Sequence, residues 1–307
     1  MTKARYLFIA GLAALGSCGD DGGGSVTAAQ ACSSAATAFC NKINMCAPVF
    51  IQFQYGDVAT CVTRIQINCE ANFMASGKSQ TPSELAACGT AYGNASCSDL
   101  FAGDQPAACD PKPGTLADGT ACGVPDQCVS TYCKLSGSCG VCAPRSATGG
   151  SCTEDEGCAD GLVCAGAGTC VTPGAAGAAC DDVRPCRGNL NCKSGSCAAP
   201  GGPGSPCTPF SDGECDFAQG LYCSPSGACE VIKLANAGET CGYSPSTGFT
   251  ACRAGGDCKT GLGGTGTCTP AASDGAACGG VDGPNCLAPS ECEAETCKLP
   301  PSASTCK

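Results

Sequence analysis

The stretch from Gly149 to Cys170 reads GGSCTEDEGCADGLVCAGAGTC, and its pattern organises most of the chain. It opens with Gly-x-x-Cys and places three further cysteines within the next 18 residues. Six segments open in this way, at intervals of 30, 28, 27, 34 and 37 residues. Self-similarity of this kind predicts a repeat architecture. The openings are Gly119, Gly149, Gly177, Gly204, Gly238 and Gly275.

The six segments are predicted to be short four-cysteine repeats, built of β-hairpins and coil, over residues 119–299. Each has few large apolar residues, and a unit of about 30 residues must then be held by its disulfides. Four cysteines can pair in three ways. We predict first with third and second with fourth, which gives Cys122–Cys133 and Cys128–Cys139 in the first segment.

Two cysteines, Cys142 and Cys306, fall outside this count. They either pair with each other, which would fold the array back on itself, or Cys142 shares the register of Cys139. Cys139-Gly-Val-Cys142 is also the one CxxC motif of the sequence, the spacing that a redox-active dithiol needs. No thioredoxin-like βαβ pattern surrounds it, which favours two structural half-cystines.

Composition restricts the chemistry of the chain. It has 35 cysteines in 307 residues and no histidine, which excludes Ser-His-Asp and Cys-His catalysis and mixed Cys/His zinc sites. Metal storage by thiolates is disfavoured because cysteines of an exported chain pair with each other. The acids Glu154, Asp155 and Glu156 are expected to be solvated surface rather than a glycosidase pair. We therefore predict no enzyme activity, no catalytic residue, no metal and no cofactor.

An all-α, disulfide-stapled module is predicted for residues 26–109. Apolar residues recur on one helix face from Cys32 to Cys46 and again from Val58 to Phe73, with Asp57 as an N-cap. Thr81-Pro82-Ser83-Glu84 fits a capping box that opens a third helix, and Cys97 to Phe101 fit a short fourth turn. Val49 to Tyr55 is interpreted as a loop that caps the core or as a ligand-facing apolar patch.

The first two helices each carry cysteines eight residues apart, a spacing that resembles twin Cx7C helical hairpins. Antiparallel packing predicts the bridges Cys32–Cys69 and Cys40–Cys61. Cys46, Cys88, Cys97 and Cys109 would close the rest of the module. Residues 110–118 are read as a Pro/Gly linker and residues 300–307 as a C-terminal tail.

The N-terminus has the features of an export signal over residues 1–17. Lys3 and Arg5 precede the apolar run YLFIAGLAAL, Tyr6 to Leu15. Ten apolar residues reach only about 15 Å as a helix, half of the roughly 30 Å of a hydrocarbon core. Leu15-Gly16-Ser17-Cys18 resembles the lipobox of bacterial lipoproteins, which implies a diacylglycerol on Cys18 and a tether over residues 18–25. The alternative is ordinary secretory cleavage near Ser17.

The net charge of −11 argues against nucleic acid and anionic headgroups as partners, since clustered Lys and Arg are absent. The only expected membrane contact is the lipid anchor. A protein or surface-glycan partner is expected, without a sequence signal to identify it.

The GxxC…C…C…C array resembles Dickkopf N-terminal cysteine-rich and colipase-like modules, and is similar to the cysteine-rich repeat lipoproteins of deltaproteobacteria. This resemblance implies a disulfide-held fold. We expect an outer-membrane or cell-surface lipoprotein whose rigid repeat stalk has a non-enzymatic structural, adhesion or binding role. The alternative is a secreted, Dickkopf-like ligand or inhibitor that contacts a protein through loops such as residues 243–250 or 209–216.

Overall fold

The computed structural model describes residues 26–137, 139–209, 213–260, 264–279 and 283–306. The predicted signal peptide, the tether and Cys18 lie outside these ranges. The described chain consists of an N-terminal helical region followed by short β-hairpins, with 17 disulfides. The predicted disulfide-rich class, with helices before hairpins, is confirmed.

The helical region contains α1 (Ala28–Cys46), α2 (Pro48–Gln54), α3 (Val58–Gln66), α4 (Cys69–Phe73), α5 (Pro82–Asn94) and α6 (Cys97–Phe101). Side-chain caps explain where several of them begin. Thr27 with Gln30 and Thr81 with Glu84 form reciprocal capping boxes. Asp57 accepts a hydrogen bond from the amide of Thr60 at 2.7 Å. These side chains satisfy amides that the first helical turn leaves without partners.

Two helix predictions are wrong in detail. The helix expected from Val58 to Phe73 breaks, because Asn68 takes a left-handed conformation with φ 66° and begins α4 as a separate turn. The stretch from Val49 to Tyr55, read as a loop, lies mostly in α2, which has proline at its first position. Neither Asn68 nor Pro48 disturbs the apolar spacing, so periodicity alone did not separate these helices.

The core of the helical region lies between α1, α3 and α5. Small side chains of α1 allow close approach, and the rings of Phe39 and Tyr92 pack with centroids 5.4 Å apart. Burial raises the pKa of Tyr92 to about 12. The fully or almost fully buried members are Ala31, Cys32, Ala35, Cys40, Ile51, Cys61 and Cys88.

The strands are short and pair in small sheets. A three-stranded sheet joins β1 (Ala121–Cys122), β2 (Cys133–Ser136) and β3 (Cys139–Cys142). A five-stranded sheet has the order β10-β12-β11-β14-β13, in which only β10 and β12 run parallel. Its strands are β10 (Lys233–Ala235), β11 (Thr240–Ser244), β12 (Gly248–Cys252), β13 (Asp257–Thr260) and β14 (Thr265–Thr269).

Four further pairs are antiparallel hairpins. They are β4 (Val163–Cys164) with β5 (Cys170–Val171), β6 (Asn191–Lys193) with β7 (Ser196–Ala198), β8 (Leu221–Cys223) with β9 (Cys229–Val231), and β15 (Glu291–Glu293) with β16 (Thr296–Lys298).

The same backbone contact recurs in each Gly-x-x-Cys segment. The opening glycine has a positive φ, between 74° and 86°. Its amide donates to the carbonyl of a cysteine at the end of the segment, at 2.7 or 2.8 Å. That cysteine's amide donates back to the carbonyl of the residue after the glycine. The accepting carbonyls are those of Cys142, Cys170, Cys197, Cys229, Cys268 and Cys297.

The described residues between 114 and 306, here called the belt, lie against the helical region. Residues 110–118, which were predicted to be a linker, contact the first segment. The amide of Gly114 donates to the carbonyl of Cys128, and the amide of Leu116 donates to the carbonyl of Gln127. The belt then contacts the helical region at successive points along the chain. Belt amides donate to helical-region oxygens from Thr115 to Gly77, Asn189 to Phe101, Ala254 to Gln52, Gly255 to Phe53 and Ala303 to Asn72.

The segments expected to form a rigid repeat stalk lie against the helical region. Backbone groups of the belt find partners on α2, α4, α6 and the turn at Gly77, which holds the segments against the helical region. Within the described residues, no helix is both long enough and apolar enough to cross a bilayer.

Candidate functional site

Four disulfides staple the helical region. Cys32 is bonded to Cys69 and Cys40 to Cys61, the two pairs that antiparallel Cx7C helices predict, with Cα atoms 5.9 and 6.0 Å apart. The remaining bridges are Cys46–Cys97 and Cys88–Cys109. The break at Asn68 leaves Cys69 as the first residue of α4, within reach of α1.

Each Gly-x-x-Cys segment contains two interleaved disulfides, which join its first to its third cysteine and its second to the cysteine that ends the hairpin. In the first segment these are Cys122–Cys133, as predicted, and Cys128–Cys142. The other five follow the predicted order: 152–164 and 158–170, 180–192 and 186–197, 207–223 and 215–229, 241–258 and 252–268, and 278–292 and 286–297.

The predicted bridge Cys128–Cys139 is wrong. Cys139 is instead bonded to Cys306, 167 residues away. Strand register gives the reason, since Cys133 lies opposite Cys142 and Cys139 lies nearer the hairpin tip, opposite Ser136. Cys142 occupies the position that the last cysteine holds in the other hairpins, where Cys164 faces Cys170 and Cys192 faces Cys197. The array does fold back on itself, but through Cys139 and not Cys142.

The sulfur clusters do not present free thiolates. The Sγ atoms of Cys122, Cys128 and Cys133 lie within 4.8 Å of one another, and similar triplets recur along the belt. Each of these sulfurs belongs to a disulfide. Zinc and similar ions bind cysteine as the thiolate, so these triplets fit interleaved bridges rather than a metal centre.

The most extensive polar contact between the belt and the helical region centres on Arg64 of α3. Its guanidinium binds both carboxylate oxygens of Asp274, at 2.7 and 2.8 Å. It also donates to the carbonyls of Leu287 and Ala288 and to the hydroxyl of Ser290. The Arg64 side chain is only 10% exposed. A planar fork with five donors suits this arrangement, which a lysine could not reproduce.

Electrostatics at this contact follow from its hydrogen bonds. The side-chain hydrogen bonds from Arg64 hold the pKa of Asp274 below its usual range, and Ser290 adds to this effect. Partial burial of the carboxyl opposes them. The carboxylate is consequently ionised throughout the physiological range, and it fixes the last hairpin of the belt against α3.

A second polar contact joins the first segment to the turn after α4. Lys78 forms an ion pair with Asp126 at 2.8 Å, and its ammonium lies 4.6 Å from the ring centroid of Phe73. Gln127 is buried and donates to the carbonyl of Ser76 at 2.7 Å. No local pattern in the sequence marks either contact, because the partners are about 50 residues apart and share no motif.

The acidic run from Glu154 to Glu156 has structural partners. Glu154 accepts from the hydroxyl of Tyr132, and Asp155 accepts from the amide of Cys164, both at 2.7 Å. Burial and the hydrogen bond to Glu154 together raise the pKa of Tyr132. Glu156 is exposed. Glu154 thus joins the second segment to the first, and Asp155 holds the hairpin of the second segment. A glycosidase pair would instead have two carboxylates that face one substrate.

Two open clefts lie beside the helices. One, of about 320 Å³, is lined by Asp57, Asn236 and Arg253 among others, and one of about 290 Å³ lies beside Asn94, Asp99 and Asp104. The charged groups of the first are engaged, since Asp57 caps α3 and Arg253 donates to Gln52 at 2.9 Å. We assign neither cleft a ligand.

The apolar stretch around α2 is mainly core and interface. Ile51 is fully buried and Val49 packs near Gly220 of the belt, while Phe50 is 37% exposed. Of the two loops considered for partner binding, residues 243–250 form the hairpin of β11 and β12. The other, residues 209–216, includes residues 210–212, which lie outside the described ranges.

The predicted lipidation site Cys18 also lies outside the described residues. Comparisons of the chain with protein-family models, with curated protein sequences and with solved structures gave no match.

Proposed function

We propose that the chain is an exported, lipid-anchored protein of a bacterial cell envelope, with a structural, adhesion or binding role and no catalytic one. Cysteine pairing is the observation that carries this proposal. All 34 cysteines of the described residues are disulfide-bonded, which leaves Cys18 of the 35 in the sequence. Disulfides in such number persist in oxidising compartments. The cysteine left over is the one that follows the lipobox-like Leu15-Gly16-Ser17.

The proposal includes six copies of one repeat in the belt. Three recurring features support it: the interleaved pair of bridges, the positive φ of the opening glycine, and the reciprocal backbone hydrogen bonds between that glycine turn and the last cysteine. Insertions between cysteines change the interval from 27 to 37 residues without altering these features.

A display or binding role is supported by where the belt buries its side chains. Most of its buried apolar residues are cysteines, with a few exceptions such as Tyr132 and Leu221. The segments between cysteines are therefore largely free of packing constraints and can vary to suit a partner. A protein or a surface glycan fits an acidic chain without clustered basic residues.

The anchor is tested by expressing the full-length chain and a Cys18→Ala variant in a bacterial host. We expect the unaltered chain to enter the detergent phase on Triton X-114 partitioning, and intact mass to show an acylated residue 18. Alkylation should reach 34 further thiols only after reduction. The Cys18→Ala variant should lose the acyl mass and move to the aqueous phase.

Ser25→Ala, within the same tether, is the matched control and should partition as the unaltered chain does. An unmodified Cys18 in the mature protein would exclude a lipid anchor. Thiols that react without reduction would argue against the disulfide scaffold itself.

The second candidate is a secreted ligand or inhibitor that binds a protein through its loops. The exposed tip of the β11–β12 hairpin, residues 245–247, favours it. Exchanging residues 245–247 for Ser194-Gly195, the two-residue turn between β6 and β7, should abolish partner binding while all disulfides form. Unchanged binding after the exchange would remove this loop from consideration.

A further inference from the structure

We propose that Cys139–Cys306 is a redox latch, which a small dithiol opens ahead of the other disulfides of the described residues. Its opening frees residues 300–306 from α4 while the rest of the belt stays in place. The inference concerns the fold itself and stands whether or not the chain carries a lipid.

The first argument is that this disulfide has no companion. In the Gly-x-x-Cys segments, each bridge spans 11–17 residues and interleaves with a second bridge of the same hairpin. When one of the two is reduced, the other keeps the separated thiols close, so the bond reforms at high effective concentration. Cys139–Cys306 spans 167 residues, and among the described cysteines it is the one bridge that joins the tail to another part of the chain.

The second argument concerns the contacts between the tail and α4. Asn68 donates to the carbonyl of Pro300, and Ala303 donates its amide to Asn72 at 2.9 Å. Ala303, 4% exposed, is the one buried apolar side chain of residues 300–306. One exposed and one partly buried hydrogen bond, with one small buried side chain, stabilise a segment only weakly. Once the disulfide is open, Cys306 moves away from Cys139 with the tail.

The third argument separates this bridge from others whose cysteines are more exposed to solvent. Cys139 and Cys306 are both partly exposed, but Cys192 and Cys292 are more exposed. Exposure governs how fast a thiolate attacks, whereas the population of the open form also depends on how readily the bond reforms. Cys192 remains opposite Cys197, and Cys292 opposite Cys297, in two hairpins that each keep a second bridge.

The chemistry is ordinary thiol–disulfide exchange. One thiolate of the dithiol attacks a sulfur of Cys139–Cys306, forms a mixed disulfide and releases the other cysteine as a thiolate, which takes up a proton. The second thiol of the reagent displaces the remaining cysteine and closes the reagent as a cyclic disulfide. Two electrons and two protons pass to the protein, and no other bond changes.

The structural consequence is local. Release of residues 300–306 uncovers Asn68, the N-cap of α4, and Asn72, which lies within α4. The last hairpin remains docked, because Asp274, Leu287 and Ala288 stay bound to Arg64. The uncovered surface is therefore the α4 side of the helical region.

A graded reduction experiment tests the latch. The oxidised protein is equilibrated with increasing dithiothreitol, quenched with N-ethylmaleimide, digested, and mapped by mass spectrometry. We expect Cys139 and Cys306 to be labelled together at a dithiothreitol concentration about tenfold below that for any other pair. Labelling of any other pair, such as 46–97, 180–192 or 278–292, at the same or a lower concentration would overturn the proposal.

Two double variants test whether the labelling at low dithiothreitol concentration comes from the Cys139–Cys306 disulfide. Cys139→Ser with Cys306→Ser should keep every other bridge, show no labelling in the low-dithiothreitol range, and exchange the amides of residues 303–306 rapidly without reductant. Cys180→Ser with Cys192→Ser is the matched control, in which the latch should open at the unaltered concentration. If either variant fails to fold, the dithiothreitol titration of the unaltered protein still shows which disulfide opens first. Slow exchange in the Cys139/Cys306 double variant would show that the disulfide does not hold the tail.

Discussion

The opening glycines are required for their backbone conformation and not for lack of space. At Gly119, Gly149, Gly177, Gly204, Gly238 and Gly275 φ is positive, while an added Cβ would meet no atom within 4 Å. Residues with a Cβ rarely adopt this conformation. The turn it creates directs the glycine amide at the carbonyl of the last cysteine.

Gly149→Ala should therefore weaken its segment by about 1 kcal/mol through backbone strain alone. The measurement is native-state hydrogen exchange of the amide at position 149, which donates to Cys170. Gly202→Ala is the control, since Gly202 has the same open surroundings but no positive φ. We expect Gly202→Ala to be neutral or slightly stabilising. Equal effects of the two substitutions would contradict the assignment.

Two Arg–Asp pairs differ in what they stabilise. Arg64 is buried and has five acceptor contacts around it, whereas Arg184 and Asp181 form an exposed pair three residues apart. Removing one partner of a buried pair leaves polar groups unsatisfied, while most exposed pairs add little.

Arg64→Ala should raise local opening around Leu287, with a loss of about 2 kcal/mol, less than for a fully buried pair because Asp274 is one-third exposed. Hydrogen exchange of the Leu287 amide, which donates to Ala272, reports this loss. Arg184→Ala should leave that amide unchanged. Arg64→Lys should behave closer to Arg64→Ala than to the unaltered chain, because an ammonium cannot form the fork.

The distance from a cysteine to the next opening glycine distinguishes Cys142 from Cys139 in the sequence. Cys142 precedes the next opening glycine by seven residues, as do Cys170, Cys197 and Cys268, whereas Cys139 precedes it by ten. The spacing within the first segment does not separate the two cysteines, and the order of four cysteines alone predicts Cys139 as the last. In four of the five segments that another opening glycine follows, the last cysteine of the hairpin precedes that glycine by seven residues; Cys229 precedes it by nine.

At the level of elements, local signals predicted the starts of helices better than their continuity. The caps at Asp57 and Thr81 act within three residues, so the sequence shows them directly. The left-handed Asn68 interrupts an apolar pattern that otherwise continues from α3 into α4. Its side-chain amide also donates to the carbonyl of Pro300. These residues are 232 positions apart, so no local pattern encodes the contact.

Docking of the last hairpin onto α3 should depend on pH in one direction. Because the pKa of Asp274 is below its usual value in the folded protein, ionisation of this carboxyl stabilises the docked form. The stabilisation is complete above the ordinary aspartate pKa of about 3.9 and is lost as pH falls through the lower folded value.

An NMR titration of the Asp274 carboxyl should thus give a midpoint below that ordinary value, and Arg64→Ala should move it upward. The pKa of Asp57, which the amide of Thr60 lowers, provides an internal control that Arg64→Ala should not change. A midpoint for Asp274 that is insensitive to Arg64→Ala would show that the ion pair does not form in solution.

For the whole molecule, the disulfide-rich class follows from composition, but the path of the belt does not. Repeat spacing describes each segment alone, and an array of such segments could be extended or wound. The winding depends on single contacts between distant residues, such as Gly77 with Thr115 and Phe101 with Asn189. Neither side of these contacts carries a motif, because the donors and acceptors are backbone groups.

Cleavage of the chain between Pro144 and Arg145 should leave one covalent molecule. Of the disulfides in the described residues, Cys139–Cys306 is the one that spans this bond. A site-specific protease sequence inserted there should give a single band on a non-reducing gel after cleavage and two bands after reduction. With Cys139 and Cys306 both changed to Ser, cleavage alone should give two bands. Two bands from the oxidised parent would mean that the ring is not closed.

An exported chain enters the oxidising compartment from its N-terminus, and this order determines when the closing bridge can form. Cys139 emerges 167 residues before Cys306, so it waits as an unpaired thiol while later segments complete their own bridges. During that interval its nearest competitor is Cys142, three residues on, which needs the same partner Cys128. A mispaired 128–139 bond leaves Cys142 free to attack and correct it. Maturation of this chain should therefore depend on disulfide isomerisation, and less so when Cys139 is replaced.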